Sequence, residues 1–174
     1  CIATKQKNSG SVAVVTALSS LLKNMAKGFN EKVTLRQELD FLQNYVIIEK
    51  IRYIELFDID IIVDQEELYD ARIIKLTLQP IVENCVFHGL EPKAEQGHVT
   101  IRISGTKDMM KIIVEDDGVG MSTDELDKMR AALEEERPPT NQPDTHGHGT
   151  ALYNVNQRTT QAFCRAYRTY VYRP

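Results

Sequence analysis

Apolar positions along the chain change period several times, and each change predicts an element. Between Ser11 and Phe29, Leu18, Leu22, Met25 and Phe29 recur by four, three and four. This helical seam suits either a local core or a second helix. Gly28 and Asn30 end it. "VTLRQELDFLQNYVIIEKIRY" follows, with Thr34 as N-cap, Glu38 in the first turn and two apolar stripes. Leu35, Leu39, Leu42 and Val46 form one stripe, and Phe41, Tyr45 and Ile48 the other. A helix apolar over two stripes should be covered on most of its surface.

"LFDIDIIV" alternates, so Phe57, Ile59, Ile61 and Val63 share one face of a strand. The polar run "DQEELYDAR" then leads into a helix expected to end near His88. "HVTIRIS" and "MKIIVED" alternate again, and the "GTKD" between them reads as a hairpin turn. Ser122 and Glu125 form a capping box ahead of a short charged helix. The Pro- and Gly-rich "RPPTNQPDTHGHG" excludes regular structure. A last helix is predicted from about Gly149 through "ALYNVNQR". Strands and helices are mixed rather than strictly alternating. The predicted fold is therefore α+β: a two-layer α/β sandwich with a mixed sheet covered on one face by helices, preceded by N-terminal helices.

The net charge of −4 argues against a nucleic-acid partner, which would need a basic face. Cys1, Cys85 and Cys164 lack metal-ligand spacing, and no disulfide framework is expected, which favours a reducing, cytosolic setting. No apolar run reaches the roughly 20 residues that cross a bilayer. Beginning with Cys1 rather than Met, the chain is expected to be part of a longer protein.

Three stretches carry candidate chemistry. "IVENCVFHG" sets Glu83, Asn84 and His88 in an apolar run, where polar groups need partners. Asn84 and His88 share a helix face with Thr77 and Ile81, and Glu83 is turned about 100° away. "DDGVG", residues 116–120, follows a strand. Its glycines permit a tight turn and close approach to a ligand, and Asp116 is placed to accept from an exocyclic amine. "GHGTALYNV", residues 147–155, brings glycines to a helix N-terminus, which attracts anions; no Gly-Lys-Ser/Thr makes it a Walker loop. Each stretch alone also fits a structural role: a backbone-satisfied Asn, an Asp-Gly turn, a glycine hinge.

Their order is more specific. "LQPIVENCVFHG", "DDGVG" and "GHGTALYNVNQR" resemble the N box and two glycine boxes of the GHKL ATP-binding domain, shared by gyrase, heat-shock chaperones, MutL and sensor histidine kinases. "VTLRQELDFLQNYVIIEKIRY" is similar to the helix that precedes this domain in LytS-like sensor histidine kinases. The resemblance spans roughly residues 11 to 158. It implies a remnant of the dimerisation hairpin over 1–30 and an ATP-binding catalytic domain over 31–174.

It also implies site roles. Asn84 would coordinate a Mg²⁺ that bridges the ATP phosphates, with His88 beside the phosphates. Asp116 would receive the adenine amino group, while Gly118 and Gly120 admit the base. Gly147, Gly149 and Leu152 would border the phosphates, under a lid over residues 121–148. Among catalytic groups, Glu83 and His88 are the candidates. The family's usual lysine before His88 is Phe87, which removes a phosphate contact, and its last glycine is Ala151, which crowds the approach.

The implied reaction moves the γ-phosphoryl group of Mg·ATP to a histidine and then to a response regulator receiver domain. The parent would be a homodimer with this domain in the cytoplasm and an anchor in the cell membrane. The histidines, at 88, 98, 146 and 148, do not lie in the family's H box, so the chain alone is expected to bind nucleotide without phosphorylating itself. Two rivals remain: a GHKL-type ATPase and a degenerate nucleotide-binding or interaction module. The ATPases need a glutamate one turn before the asparagine to activate water, where this chain has Pro80. Past "NVNQR" the family's final strand is expected to be absent or altered.

Overall fold

Helix α1, Leu35–Arg52, begins where Thr34 and Gln37 satisfy each other's backbone N–H groups. The Thr34 hydroxyl accepts from the Gln37 amide at 3.2 Å, and the Gln37 side chain accepts from the Thr34 amide at 3.0 Å. Such a box contributes about 1 kcal/mol. The computed structural model describes residues 14–19, 31–54, 56–93, 95–106, 109–134 and 150–163. Of the predicted first helix, residues 14–19 are helical, with Leu18 exposed. Leu22, Met25 and Phe29 lie outside the described residues, as do the Pro- and Gly-rich run and the chain past Phe163.

The predicted primary stripe of α1 is its buried side: Leu35, Leu39, Leu42 and Val46 all lie in the main core. Burying each such side chain contributes roughly 1.5–3 kcal/mol. They cover one face of a mixed three-stranded sheet formed by β2 (Phe57–Val63), β4 (Gly97–Gly105) and β5 (Met110–Asp116). Central β4 runs parallel to β2 and antiparallel to β5. The register aligns core residues in rows, Ile61–Ile101–Val114 and Val63–Ile103–Ile112. Asp58, Asp60 and Ile62 alternate outward. The two-layer α+β expectation holds.

Two short strands escape the periodicity. β1 (Lys32–Thr34) and β3 (Arg72–Ile74) pair antiparallel beside the main sheet. The run "DQEELYDAR" was expected to lead directly into a helix. Instead it forms a 3₁₀ turn over Glu66–Asp70, then β3, and only then α2 at Leu78–Asn84. Three residues cannot display an alternation, so β3 leaves no signal of its own.

Helix α3 (Thr123–Glu134) starts at the predicted capping box: the Ser122 amide donates to Glu125 at 2.8 Å, and the Glu125 amide donates to the Ser122 hydroxyl at 3.3 Å. Helix α4 (Thr150–Phe163) packs against α2, α3 and β3.

Candidate functional site

Alternation along β5 sets Met110, Ile112, Val114 and Asp116 on the helix-covered face. Asp116 therefore ends an apolar row, opposite Val99, with its carboxylate directed at the helices rather than at solvent. There its Oδ1 accepts from the Gly118 amide at 3.0 Å. The buried Cys85 thiol hydrogen-bonds to the same carboxylate. Gly89 passes so close that a Cβ built on it would lie 2.5 Å from Asp116 Oδ1.

The "DDGVG" loop is pinned from both sides. The Val119 amide donates to the Gly89 carbonyl at 2.9 Å, and a Cβ on Gly118 would stand 2.4 Å from the Gly89 backbone. On the other side Asp117 accepts from the His98 amide at 2.7 Å and from Lys93 Nζ at 3.1 Å. These donors hold the Asp117 carboxyl below its usual range, the His98 amide contributing most. Gly120 adopts φ +69 with open space around it, so its glycine is demanded by conformation rather than by crowding.

The candidate helix is shorter and less regular than expected. Pro80 fits its first turn, where the missing N–H would have no intrahelical partner. After Asn84 the turn widens into a π-helix over Cys85–Leu90, a local irregularity common at functional sites. Asn84 is half-buried at that junction, and its carboxamide makes no capping bond. His88 is half-buried within the π-turn.

Glu83 faces α1. Its Oε1 accepts from Gln79 at 2.9 Å, and its charge acts on Tyr45 and Glu49. Phe87 also turns to α1, meeting the Tyr53 ring edge-on at 5.9 Å with the Arg52 guanidinium 5.5 Å from its centroid. A side chain at position 87 thus faces the end of α1.

Leu152 joins Met129 and Leu133 in a small cluster, with Ile81 and Met121 packed on it. Ile81 belongs to the helix of Asn84, so this cluster brings α2, α3, α4 and the segment after "DDGVG" together. Gly147 and Gly149, with the second half of the predicted lid, residues 135–148, lie outside the described residues, and nothing is described of the Ala151 side chain. A cavity of about 300 Å³, bordered by Arg36, Gln43 and Tyr69, contains none of the predicted site residues.

Residues 69–168 match the family described as "Histidine kinase-, DNA gyrase B-, and HSP90-like ATPase". The chain belongs to that ATPase family. Residues 1–57 match the family described as "Histidine kinase", so within the ATPase family this is a histidine kinase domain, one that binds ATP. It is 35% identical over 146 residues to "Sensor protein LytS" of Oceanobacillus iheyensis, covering 83% of this chain and 24% of that protein. An "Uncharacterized sensor-like histidine kinase" of Staphylococcus epidermidis is 36% identical over 69% of the chain and 23% of its own length. "Sensor protein kinase HptS" of Staphylococcus aureus is 32% identical over the same shares. The chain thus spans about a quarter of the length of these relatives.

Sequence reasoning missed the contacts that shape this histidine kinase site. Gly89 closes the N box, but its need for glycine arises from Asp116 and Gly118, which are distant in sequence. From sequence, Cys85 bears only on metal and disulfide spacing; burial and the adjacent Asp116 carboxylate push its thiol well above the usual range. In the folded chain Cys85 is expected to resist iodoacetamide at mildly alkaline pH and to react after denaturation, as read by peptide mass mapping. Rapid labelling of the native protein would show that the thiol is not held against Asp116.

Proposed function

We propose that this domain holds Mg·ATP for transfer of the γ-phosphoryl group to a histidine and onward to a receiver domain of a response regulator. In this reading residues 31–174 form the catalytic domain, and residues 1–30 belong to the dimerisation hairpin of a homodimer whose parent is anchored in the cell membrane. The observation that carries it is the Asp116 carboxylate, fixed by Gly118, Gly89 and Cys85 at the edge of the core. Asp116 would accept the adenine amine, with Gly118 and Gly120 admitting the base. His88, Gly147, Gly149 and Leu152 would border the phosphate end.

Among the described residues no group of three or more His, Cys, Asp or Glu gathers as a protein-only cation cage. A lone carboxamide oxygen at Asn84 suits a hard cation held chiefly by phosphates. Bound Mg·ATP supplies the transferable phosphoryl group and neutralises its charge. The chain's own groups would position the nucleotide.

Two observations favour transfer over hydrolysis. Pro80 occupies the position one turn before Asn84, and Glu83 is engaged with Gln79 on the side facing α1. Neither is suited to activate water. His98 pairs with Asp60 at 3.1 Å on the exposed side of the sheet. Among the described residues no helix is long and apolar enough to cross a membrane.

Calorimetry with Mg·ATP, paired with a phosphate-release assay, tests the reading. Saturable binding without steady release is expected. Steady release with no acceptor added would assign ATP hydrolysis instead.

A further inference from the structure

The turn that feeds α2 is clamped from two sides by side chains with no place in the site described so far. Leu76, in that turn, has φ +58, the left-handed region that a side chain resists. Glu38, from the first turn of α1, is 1% exposed. Its carboxylate accepts from the amides of Leu76, Thr77 and Leu78 at 2.8, 2.7 and 2.8 Å. From the opposite side Arg158 of α4 donates to the carbonyls of Lys75 at 3.4 Å and Leu76 at 2.8 Å. The Thr77 hydroxyl closes the turn onto the Ile74 carbonyl at 2.6 Å. An anion thus holds the N–H groups of one strained turn, a cation holds its C=O groups, and the two charges attract across it.

The clamp ties three elements. α1 supplies Glu38, the clamped turn leads into the helix of Asn84, and Arg158 lies on the helix that the second glycine box opens. We infer that Glu38 and Arg158 are positioning residues for the phosphate end of the nucleotide site, acting through the Lys75–Thr77 turn to fix α2 against α4. The inference rests on the proposed binding of Mg·ATP and deepens it. Asp116 has anchors that do not belong to α2: its place at the end of β5 opposite Val99, the Gly118 amide, and the His98–Asp117 bond of the adjoining loop. Loosening the turn is expected to shift Asn84 relative to α4 while β5 keeps Asp116 in place.

This separation supplies a test that a merely structural role would fail. Calorimetry on the whole chain compares Mg·ATP with adenosine for the unmodified protein, Glu38→Gln and Arg158→Lys, with thermal melts alongside. Glu38→Gln keeps the volume but loses the charge and one acceptor oxygen. It is expected to weaken Mg·ATP by about tenfold, the scale of one charge-assisted interaction, while adenosine affinity stays within about twofold. Arg158→Lys, which loses the forked contact to both carbonyls, should change the ratio in the same direction. If Glu38→Gln melts without cooperativity, Arg158→Lys decides. Folded variants that keep the wild-type ratio, or lose both ligands equally, overturn the inference. An unmodified chain that does not prefer Mg·ATP over adenosine overturns the nucleotide reading itself, and the inference with it.

Discussion

Gly118→Ala is expected to weaken Mg·ATP and adenosine alike by at least about a hundredfold, close to 3 kcal/mol of binding. The added Cβ would stand 2.4 Å from the Cα, carbonyl carbon and oxygen of Gly89. Those atoms are backbone, so no rotamer change relieves the overlap. The loop must lift, which stretches the Val119–Gly89 hydrogen bond of 2.9 Å and the Gly118–Asp116 bond of 3.0 Å. Asp116 then loses the orientation that the proposed adenine contact needs. Gly120→Ala serves as the control. Its Cβ would meet nothing within 4 Å, so the cost is the positive φ alone, about 1 kcal/mol. Calorimetry on both variants checks the contrast. Wild-type affinity in folded Gly118→Ala would mean that the loop does not form the base pocket.

The sheet and the long helix were legible because their patterns are strong. β2, β4 and β5 each alternate over several residues, and the Thr34–Gln37 box marks the start of α1. β1 and β3 were not, since three residues pairing only with each other have no period to read. The π-turn over Cys85–Leu90 was also hidden: its Gly89 carbonyl bonds the Val119 amide of the "DDGVG" loop, a contact that no local spacing signals. Within the site, Asp116 and the glycines could be named from their motif. Glu38 could not: an acid in a first turn ordinarily marks the positive end of its own helix, whereas this one serves a different helix 38 to 40 residues later. Arg158 ends the second glycine-box motif, and its grip on the Lys75 and Leu76 carbonyls depends wholly on the tertiary fold. What the sequence could not reveal is therefore the support around the site, which links residues that no local spacing connects.

Asn84→Ala separates the cation contact from the rest of the site, and it carries the second large effect. The residue is half-buried at the junction of α2 and the π-turn and makes no capping bond, so its removal should cost the fold little, within about 1 kcal/mol. Binding should respond quite differently. If the carboxamide oxygen holds Mg²⁺ against the phosphates, the variant forfeits the gain in ATP affinity that Mg²⁺ gives the unmodified chain, a loss of about ten- to a hundredfold. Without Mg²⁺, the two proteins should bind ATP alike, and adenosine should not distinguish them at any Mg²⁺ concentration. Asn84→Asp keeps a hard oxygen at the same reach and should restore much of the Mg²⁺ dependence, because the cation tolerates a carboxylate where it tolerates an amide. Calorimetry with and without Mg²⁺ reads all of these differences. An Asn84→Ala protein that still binds ATP more tightly with Mg²⁺, by the wild-type factor, would remove Asn84 from the cation's coordination and leave Asp116 and its glycines as an adenine pocket whose phosphate end is built from other residues.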